Sequence, residues 1–241
     1  MADIAVVTGA SGGIGSVLTR MIHEKSDGAL QMCIHYWGDP TVAKKLQGEI
    51  QGSFIVEADL SAPEGRRTLL AAVLAKGAPY VLVNNAGIDR PHEPALMITE
   101  ESFDRIVAVN LKSTAFLMRD FGKEMASAGS GVIVNVSSVL ANKALVGSAL
   151  YRVSKAGVEA LTKQFAAELG PRGVRVNAVA PGFIETPMTQ SIAADVRAKM
   201  KAEIAMDSFG SPDAVAQAVC HLIENDYLNG AVLTVDGGMR L

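Results

Sequence analysis

Tyr151 and Lys155, in the run Tyr-Arg-Val-Ser-Lys, have the residue types and the spacing for acid–base chemistry. Residues four apart on a helix share one face, so the phenol and the ammonium can converge on one point. A free tyrosine has a pKa near ~10, and lowering it to about 7 requires roughly 4 kcal/mol of preferential stabilisation of the phenolate. A positive charge ~4 Å away supplies about that much at an effective dielectric of ~20. The pair therefore predicts a tyrosine that donates a proton near neutral pH.

The spacing alone does not establish this chemistry. With four tyrosines and eleven lysines in 241 residues, chance produces about 0.2 such pairs, so the surrounding motifs must decide. The elements that would position the pair follow a clear rhythm of short apolar, β-branched runs and longer helix-like segments. Continuous apolar runs of this length are typical of strands buried on both faces of a parallel sheet.

This rhythm predicts an α/β fold, namely a doubly wound Rossmann-type parallel sheet of about seven strands flanked by helices. We expect one domain over residues 1–241. The predicted strands are 4–8, 30–36, 54–57, 80–84, 132–136, 174–179 and 231–235, and the predicted helices are 14–24, 41–50, 64–75, 100–126, 149–169 and 212–223. The longest irregular stretch, from Pro181 to about Ile192, is interpreted as a loop over the site.

Composition excludes several classes of function. A net charge of -3 and a pI near 5.8 argue against nucleic-acid binding, which usually requires a basic face. No apolar run reaches the ~18 residues of a membrane span, and no secretory signal is apparent, so we expect a cytoplasmic protein without membrane contact. Cys33 and Cys220 are predicted to be reduced core thiols. The four histidines lack ligand spacing, so no metal site is predicted.

A glycine-rich turn follows the first predicted strand directly. Residues 8–15 read Thr-Gly-Ala-Ser-Gly-Gly-Ile-Gly and then open a helix. Glycines let the backbone approach a pyrophosphate, whose charge is stabilised by the helix N-terminus. The position between strand and helix favours dinucleotide binding over an ordinary turn. The predicted contacts in this turn are Gly9, Ser11, Gly13, Ile14 and Gly15.

Together these motifs resemble the short-chain dehydrogenase/reductase family along essentially the whole chain. The resemblance rests on the glycine turn, on Asn84-Asn85-Ala86-Gly87 after the fourth strand, and on Val235-Asp236-Gly237-Gly238 near the end. Asn110, Ser138, Tyr151 and Lys155 fall where that family has its catalytic tetrad. Within the family, the run from Pro181 to Thr186 is most similar to the β-ketoacyl-acyl-carrier-protein reductases.

The resemblance implies a role for each of these residues. Tyr151 would protonate the ketone oxygen, Ser138 would hold it, and Lys155 would lower the tyrosine pKa and bind the nicotinamide ribose. Asn110 would kink its helix and hold a relay water. Further cofactor contacts are expected at Asp59, Leu60, Asn85, Ala86, Gly87, Tyr151, Lys155, Pro181, Gly182, Ile184 and Thr186.

Some of these residues also have a plain structural interpretation. Ser138 could merely cap the next element, Asp59 could be an N-cap, and Asn110 could be a polar residue in a helix that faces solvent. The order of the motifs and the apolar neighbours of Asn110 favour the functional interpretation for Ser138 and Asn110. For Asp59 the two alternatives stay open.

The sequence modestly favours NADP(H) over NAD(H). NAD sites usually place an acid about 20 residues after the glycine turn, and here His35 and Tyr36 stand at that point, with Asp39 only further on. Without this acid, a 2′-phosphate would meet no repulsion. Its candidate partners are Ser11, His35, Lys44 and Lys45, although Gly12 occupies a position that is often basic in relatives preferring NADPH.

The resemblance implies a small-molecule or carrier-bound ketoacyl substrate, a role in fatty acid biosynthesis, acyl-carrier protein as a partner, and a homotetramer. Arg172 stands where a basic residue for the acidic carrier is expected. Residues 88–94, 127–131 and 207–208 depart from the reductase pattern, through either drift or altered specificity. A dehydrogenase of a small alcohol, sugar or steroid is the alternative. A non-catalytic nucleotide sensor is a third reading, which the presence of Ser138, Tyr151 and Lys155 disfavours.

Overall fold

The computed structural model describes residues 2–89, 93–190 and 192–239, and its centre is a seven-stranded parallel sheet. The strands are β1 (Ala2–Val7), β2 (Gln31–Tyr36), β3 (Phe54–Glu57), β4 (Gly77–Asn84), β5 (Gly131–Val136), β6 (Val174–Pro181) and β7 (Val232–Val235). Their spatial order is β3-β2-β1-β4-β5-β6-β7. The chain therefore adds β2 and β3 on one side of β1 and then crosses over to add β4 to β7 on the other side, so the switch point lies between β1 and β4. Open parallel sheets bind ligands at such a switch point, beyond the carboxyl ends of the strands.

Helices cover both faces of the sheet. They are α1 (Gly13–Lys25), α2 (Thr41–Glu49), α3 (Pro63–Leu74), α4 (Glu100–Ile106), α5 (Ser113–Ala128), α6 (Ala149–Leu169), α7 (Pro187–Gln190), α8 (Ala194–Ala202) and α9 (Pro212–Glu224). The apolar core on one face contains residues of α1, α2 and α9, and the core on the other face contains residues of α3, α5 and α6. Along β1, Ala5 and Val7 belong to the first core, whereas Ile4 and Val6 belong to the second. The two buried faces explain the continuous apolar strands.

The structure confirms the predicted doubly wound sheet, with β3 and α6 at their predicted bounds. Two segments differ from the prediction. The single helix expected over residues 100–126 is α4 and α5 joined by a π-helical segment, Val107–Lys112, which preserves helical periodicity closely enough to escape the sequence pattern. The loop expected over residues 181–192 contains α7 and is followed by α8, which buries no residue and therefore has no apolar stripe.

Across the three described ranges, no helix has both the length and the apolar character needed to span a membrane.

Candidate active site

The glycine turn between β1 and α1 is fastened to the segment that follows β4. Thr8 Oγ1 donates a hydrogen bond to the Val83 carbonyl (3.2 Å) and accepts from the Asn85 and Ala86 amides (both 3.0 Å). Asn85 Nδ2 donates to the carbonyls of Thr8 (2.9 Å) and Gly9 (3.0 Å). Gly9 has a φ of +61°, and a β-carbon there would lie 2.9 Å from Ala86 Cα. The turn requires glycine here for both conformation and space.

The N-terminus of α1 suits a pyrophosphate. Its N-cap, Gly12, supplies no side-chain hydrogen bond, and the first turn of α1 contains no acidic residue, so the partial positive charge of the helix end is uncompensated by a carboxylate. A β-carbon on Gly15 would lie 2.2 Å from the Gly9 carbonyl oxygen, which keeps this turn tight. These features fit a dinucleotide whose phosphates bind along residues 9–15.

A buried polar network supports the strand ends next to this turn. Asn84 Nδ2 donates to Asn135 Oδ1 (2.8 Å), and Asn135 Nδ2 donates to Thr162 Oγ1 (2.9 Å). The three side chains join β4, β5 and α6. Asn84 therefore supports strand geometry, whereas Asn85 shapes the glycine turn.

Asn110 lies in the π-helical segment and is almost fully buried. Its Oδ1 accepts from the Ile88 amide (2.8 Å), and its Nδ2 donates to the Ile88 carbonyl (2.9 Å) and to Ser154 Oγ (3.3 Å). A β-carbon on Gly87 would lie 3.4 Å from Asn110 Oδ1 and 3.6 Å from Lys155 Nζ. The structure thus brings Asn110, Lys155 and the end of the Asn-Asn-Ala-Gly run together, and Asn110 does not face solvent.

Ser138 follows the carboxyl end of β5 and begins a 3₁₀ helix, Val139–Ala141. Its Oγ accepts a hydrogen bond from the Leu140 amide (3.2 Å), and its hydroxyl is near enough to Tyr151 to lower the pKa of that residue. The capping interpretation and the contact with Tyr151 therefore both hold for one side chain.

Tyr151 and Lys155 lie on one face of α6, as the spacing predicted. Lys155 is buried, its Nζ lies 5.6 Å from the centre of the Tyr151 ring, and it donates a hydrogen bond to the Val136 carbonyl (2.7 Å). The Tyr151 ring is partly buried against Val139 and Leu140. The ammonium is therefore aimed at the end of β5 and sits beside the phenol ring.

Burial dominates the protonation of both groups. It raises the pKa of Tyr151 to about 12, with a further contribution from the negative charge of Asp89 and opposition from the Ser138 hydrogen bond. Burial lowers the pKa of Lys155 to about 8, against the opposing effect of Asp89. Burial therefore shifts the pKa of Tyr151 in the direction opposite to the one expected from the sequence. Tyr151 is protonated at neutral pH and is available as a proton donor.

The segment after β6 reaches across the site to the glycine turn. The Gly182 amide donates to the Val235 carbonyl (2.9 Å), and Ile184 bridges to Gly210. The Thr186 amide donates to Thr189 Oγ1 (2.9 Å), and a β-carbon on Gly13 would lie 3.0 Å from Thr186 Cβ. Thr186 therefore lies against the turn, on the side where α1 begins.

On the adenosine side of the site, the expectation that His35 could bind a 2′-phosphate is wrong. His35 is buried, its Nδ1 accepts from the Gly9 amide (3.0 Å), and its Nε2 lies 2.9 Å from the Ala58 carbonyl. With both ring nitrogens bonded to the backbone, His35 has no nitrogen left for a 2′-phosphate. Burial lowers the pKa of His35, which favours the neutral ring that this geometry requires.

Asp59 and Leu60 remain predicted cofactor contacts, and the structure shows that each also has a structural role. Asp59 Oδ1 accepts from the amide (2.9 Å) and hydroxyl (2.7 Å) of Ser61, while Ala62 is the N-cap of α3. Asp59 therefore closes a turn before α3 without capping that helix. The buried Leu60 gives its carbonyl to Arg66 Nη1 (2.6 Å).

Sequence reasoning missed two acidic residues near the tetrad. Asp89 acts electrostatically on both Tyr151 and Lys155, and its place directly after Asn-Asn-Ala-Gly-Ile was the available signal. Of the segment 88–94, which departs from the reductase pattern, residues 90–92 lie outside the described residues. Glu159 stands one further helical turn along α6 from Lys155, a spacing the sequence did contain. Among the described residues, no three His, Cys, Asp or Glu side chains group as metal ligands would.

Comparisons with known proteins agree with this geometry. Residues 9–240 match a family model described as enoyl-(acyl carrier protein) reductase. The chain is 38% identical to (3R)-3-hydroxyacyl-CoA dehydrogenase of Mus musculus, covering 98% of this chain and 95% of the relative. It is 33% identical to 3-oxoacyl-acyl-carrier-protein reductase FabG of Staphylococcus aureus (100% and 99%) and 35% identical to cis-4-hydroxycyclohexanecarboxylate dehydrogenase of Sinomonas cyclohexanicum (98% and 95%).

A doubly wound sheet with a glycine turn at its switch point defines a dinucleotide-binding fold. The chain belongs to the short-chain dehydrogenase/reductase family, whose members use a nicotinamide dinucleotide, NAD(P)(H).

Proposed function

We propose that this protein, as a single domain over residues 1–241, uses NADPH to reduce the ketone of a β-ketoacyl thioester to the β-hydroxyacyl form. The observation that carries the proposal is the placement of Tyr151 beside Ser138, which acts on its pKa, and beside the buried ammonium of Lys155, whose Nζ lies 5.6 Å from the centre of the Tyr151 ring. These residues follow β5, so they share the carboxyl edge of the sheet with the glycine turn after β1. A carbonyl oxygen between the two hydroxyls would accept a hydrogen bond from each.

The residues of the chain divide the work of this reaction. Residues 9–15 would hold the phosphates of the dinucleotide, which would supply the hydride. Tyr151, which burial keeps protonated, donates its proton to the oxygen as negative charge develops there, while Ser138 polarises the carbonyl. Lys155 provides the buried positive charge beside the phenolate that remains. Asn110 fixes the Ile88 backbone and thereby the segment that passes Lys155.

NADPH is the proposed form of the cofactor. In support, β2 ends at His35 and Tyr36 without an acidic residue, and Trp37 follows with 63% of its surface exposed. The structure also reveals a competing carboxylate, since Glu57 on β3 accepts a hydrogen bond from the Tyr36 hydroxyl (3.5 Å). Initial rates with NADPH and NADH at a fixed ketone concentration decide between them. A clear preference for NADH would contradict this part of the proposal.

The thioester substrate is supported by two relatives whose names specify hydroxyacyl-CoA and oxoacyl-carrier substrates. Recognition of an acyl-carrier protein by Arg172 has less support than the thioester substrate, because Arg172 and Tyr151 of one protomer lie far apart. Arg172 precedes β6 at the amino edge of the sheet, and the eight residues of β6 separate it by ~25 Å from the edge that holds Tyr151. Coenzyme A is therefore the first carrier to test. Comparing acetoacetyl-CoA with the carrier-bound ketone, in wild type and Arg172→Ala, tests whether Arg172 contributes.

Oxidation of a small alcohol is the second candidate function. The relative named as a cis-4-hydroxycyclohexanecarboxylate dehydrogenase supports it. A panel of acetoacetyl-CoA, cyclic hydroxy acids, sugars and steroids, assayed with both cofactors, distinguishes the candidates. Reduction of acetoacetyl-CoA at a kcat/KM at least about 100-fold above the free ketones and alcohols supports the thioester proposal. A reversed order contradicts it.

We also propose a homotetramer, built through α4, α5 and α6. Phe103 on α4 and Val153 on α6 are 43% and 53% exposed, although both are apolar. Contact between copies would cover these side chains. Light scattering of wild type and a Phe103→Asp, Val153→Asp double variant tests this. A wild-type mass near one chain would contradict it.

A further inference from the structure

Glu159 continues the face of α6 that presents Tyr151 and Lys155, since the three residues stand at intervals of four. Its carboxylate points to the segment that carries Ser138. Oε1 accepts a hydrogen bond from Ser137 Oγ (2.9 Å), and Oε2 accepts one from Asn142 Nδ2 (2.9 Å). One side chain therefore holds both ends of the six-residue stretch in which Ser138 is the second residue.

We call the two hydrogen bonds of Glu159, with Ser137 at the inner end and Asn142 at the outer end, the clamp. Further hydrogen bonds hold Ser137 in place. Ser137 is buried, its amide donates to the Val179 carbonyl (2.7 Å), and its hydroxyl is shared between Glu159 and the Lys155 carbonyl (3.3 Å). Hydrogen bonds to a carboxylate are stronger than those between neutral groups. Removing the carboxylate would release the outer end at Asn142 and weaken the inner end.

The orientation of the Ser138 side chain depends on the backbone of residues 137–142. Its Oγ accepts a hydrogen bond from the Leu140 amide within the same 3₁₀ turn, and its hydroxyl lies near enough to Tyr151 to lower the pKa of that residue. A shift of the turn by a fraction of an ångström would lengthen the contact with Tyr151, and catalytic contacts are sensitive to displacements of this size.

We infer that Glu159 is a positioning residue, which fixes the 3₁₀ turn after β5 so that the Ser138 hydroxyl faces the Tyr151 hydroxyl. The inference rests on the proposed catalytic role of Ser138. In this role Glu159 acts through its hydrogen bonds with Ser137 and Asn142.

The test compares Glu159→Ala, Glu159→Gln and Ser138→Ala with the double variant S138A/E159A. Glu168→Ala is the matched control, because Glu168 is an exposed glutamate on the same helix beyond the clamp. Each variant is assayed with the best substrate of the panel above. Cofactor affinity is measured by the fluorescence of Trp37, the single tryptophan, which lies at the end of β2.

We expect Ser138→Ala to reduce kcat by about 100-fold or more, as loss of one hydrogen-bond donor to a developing oxyanion does. Glu159→Ala should reduce kcat by about 10-fold or more, with cofactor affinity within about two-fold of wild type. Glu159→Gln, which retains an acceptor for Ser137, should recover most of this loss. In the Ser138→Ala background, adding Glu159→Ala should cost less than about two-fold, since residues that act through one another are not additive.

The pH dependence of kcat tests the positioning role separately from a general loss of stability. The groups facing Tyr151 are Ser138, Lys155 and Asp89, and Glu159→Ala should weaken only the Ser138 contact, which lowers the pKa of Tyr151. The rise of kcat with pH for alcohol oxidation should therefore shift to higher pH in Glu159→Ala and remain in place in Glu168→Ala.

The possible results distinguish a failure of the catalytic role of Ser138 from a failure of the positioning role of Glu159. If Ser138→Ala keeps wild-type kcat, the proposed catalytic role fails. If Ser138→Ala loses activity while Glu159→Ala stays within about two-fold of wild type, or if the two losses multiply in the double variant, the positioning role of Glu159 is wrong and the proposed function stands. Thermal unfolding of each variant identifies a loss of kcat caused by a loss of folded protein.

Discussion

Asn110 holds the backbone of Ile88 from both sides, accepting from its amide and donating to its carbonyl. This pair of hydrogen bonds connects the π-helical segment between α4 and α5 to the strand end that passes Lys155. A π-helical turn displaces side chains from the regular helical positions, and such turns are frequent at functional sites. The π-helical segment therefore fixes the position of the backbone that follows the Asn-Asn-Ala-Gly run, through the contacts of Asn110 with Ile88.

Replacing Asn110 by alanine should lower both stability and activity. The change removes two hydrogen bonds from the partly buried backbone of Ile88, which costs about 1 kcal/mol or more, and it frees the segment beside Lys155. We expect kcat to fall by about 10-fold or more. The control is Asn229→Ala, because Asn229 makes a similar two-sided backbone contact with Val176 (2.9 Å) and Ala166 (3.0 Å) at the other edge of the sheet. Urea unfolding and steady-state kinetics should find both variants destabilised and only Asn110→Ala impaired in kcat. Equal kcat losses would contradict the account.

Two glycines make a matched pair for testing the phosphate-binding turn. Gly15→Ala places a β-carbon 2.2 Å from the Gly9 carbonyl oxygen, so the turn must open and cofactor affinity should fall by about 10-fold or more. Gly48→Ala, in α2, meets nothing within 4 Å and should stabilise the fold by about 0.5–1 kcal/mol. Cofactor titrations monitored by Trp37 fluorescence, together with thermal unfolding, check both expectations. Unchanged cofactor affinity in Gly15→Ala would show that residues 9–15 do not bind the dinucleotide.

His35 should make stability depend on pH on the acid side of neutrality. Burial lowers its pKa in the folded protein, so below the ordinary value of 6.5 the unfolded chain binds more protons than the folded one. Stability should therefore fall as the pH drops below 6.5, and a protonated ring can no longer accept from the Gly9 amide. His35→Asn offers an acceptor for that amide and does not titrate.

The measurement for His35 is urea unfolding at pH 7.5 and pH 5 in wild type, His35→Asn and the control His221→Asn, whose histidine is exposed on α9. We expect a smaller loss of stability at pH 5 in His35→Asn than in the other two proteins. The same loss in all three would assign the acid sensitivity to other groups.

The sequence predicted the fold well because the fold depends on local patterns, and the residues of the predicted tetrad were chosen from local patterns too. The apolar run of β3 and the long segment of α6 have clear periodicity, and the glycine turn needs its residues at fixed offsets. What it could not predict depends on packing. The hydrogen bond from Lys155 to Val136 joins residues 19 apart, and the burial that raises the pKa of Tyr151 has no signature in composition. Helix α8 buries nothing, so no apolar stripe marked it.

The central claim is that Tyr151 donates the proton in a ketone reduction. The most direct measurement is kcat for acetoacetyl-CoA reduction by wild type and Tyr151→Phe at neutral pH, with NADPH affinity of both proteins measured by Trp37 fluorescence. Phenylalanine retains the ring and its packing against Val139 and Leu140 and removes only the hydroxyl. The account predicts cofactor affinity within about three-fold of wild type and a kcat lower by about 100-fold or more. A Tyr151→Phe enzyme with kcat within a few-fold of wild type would contradict it.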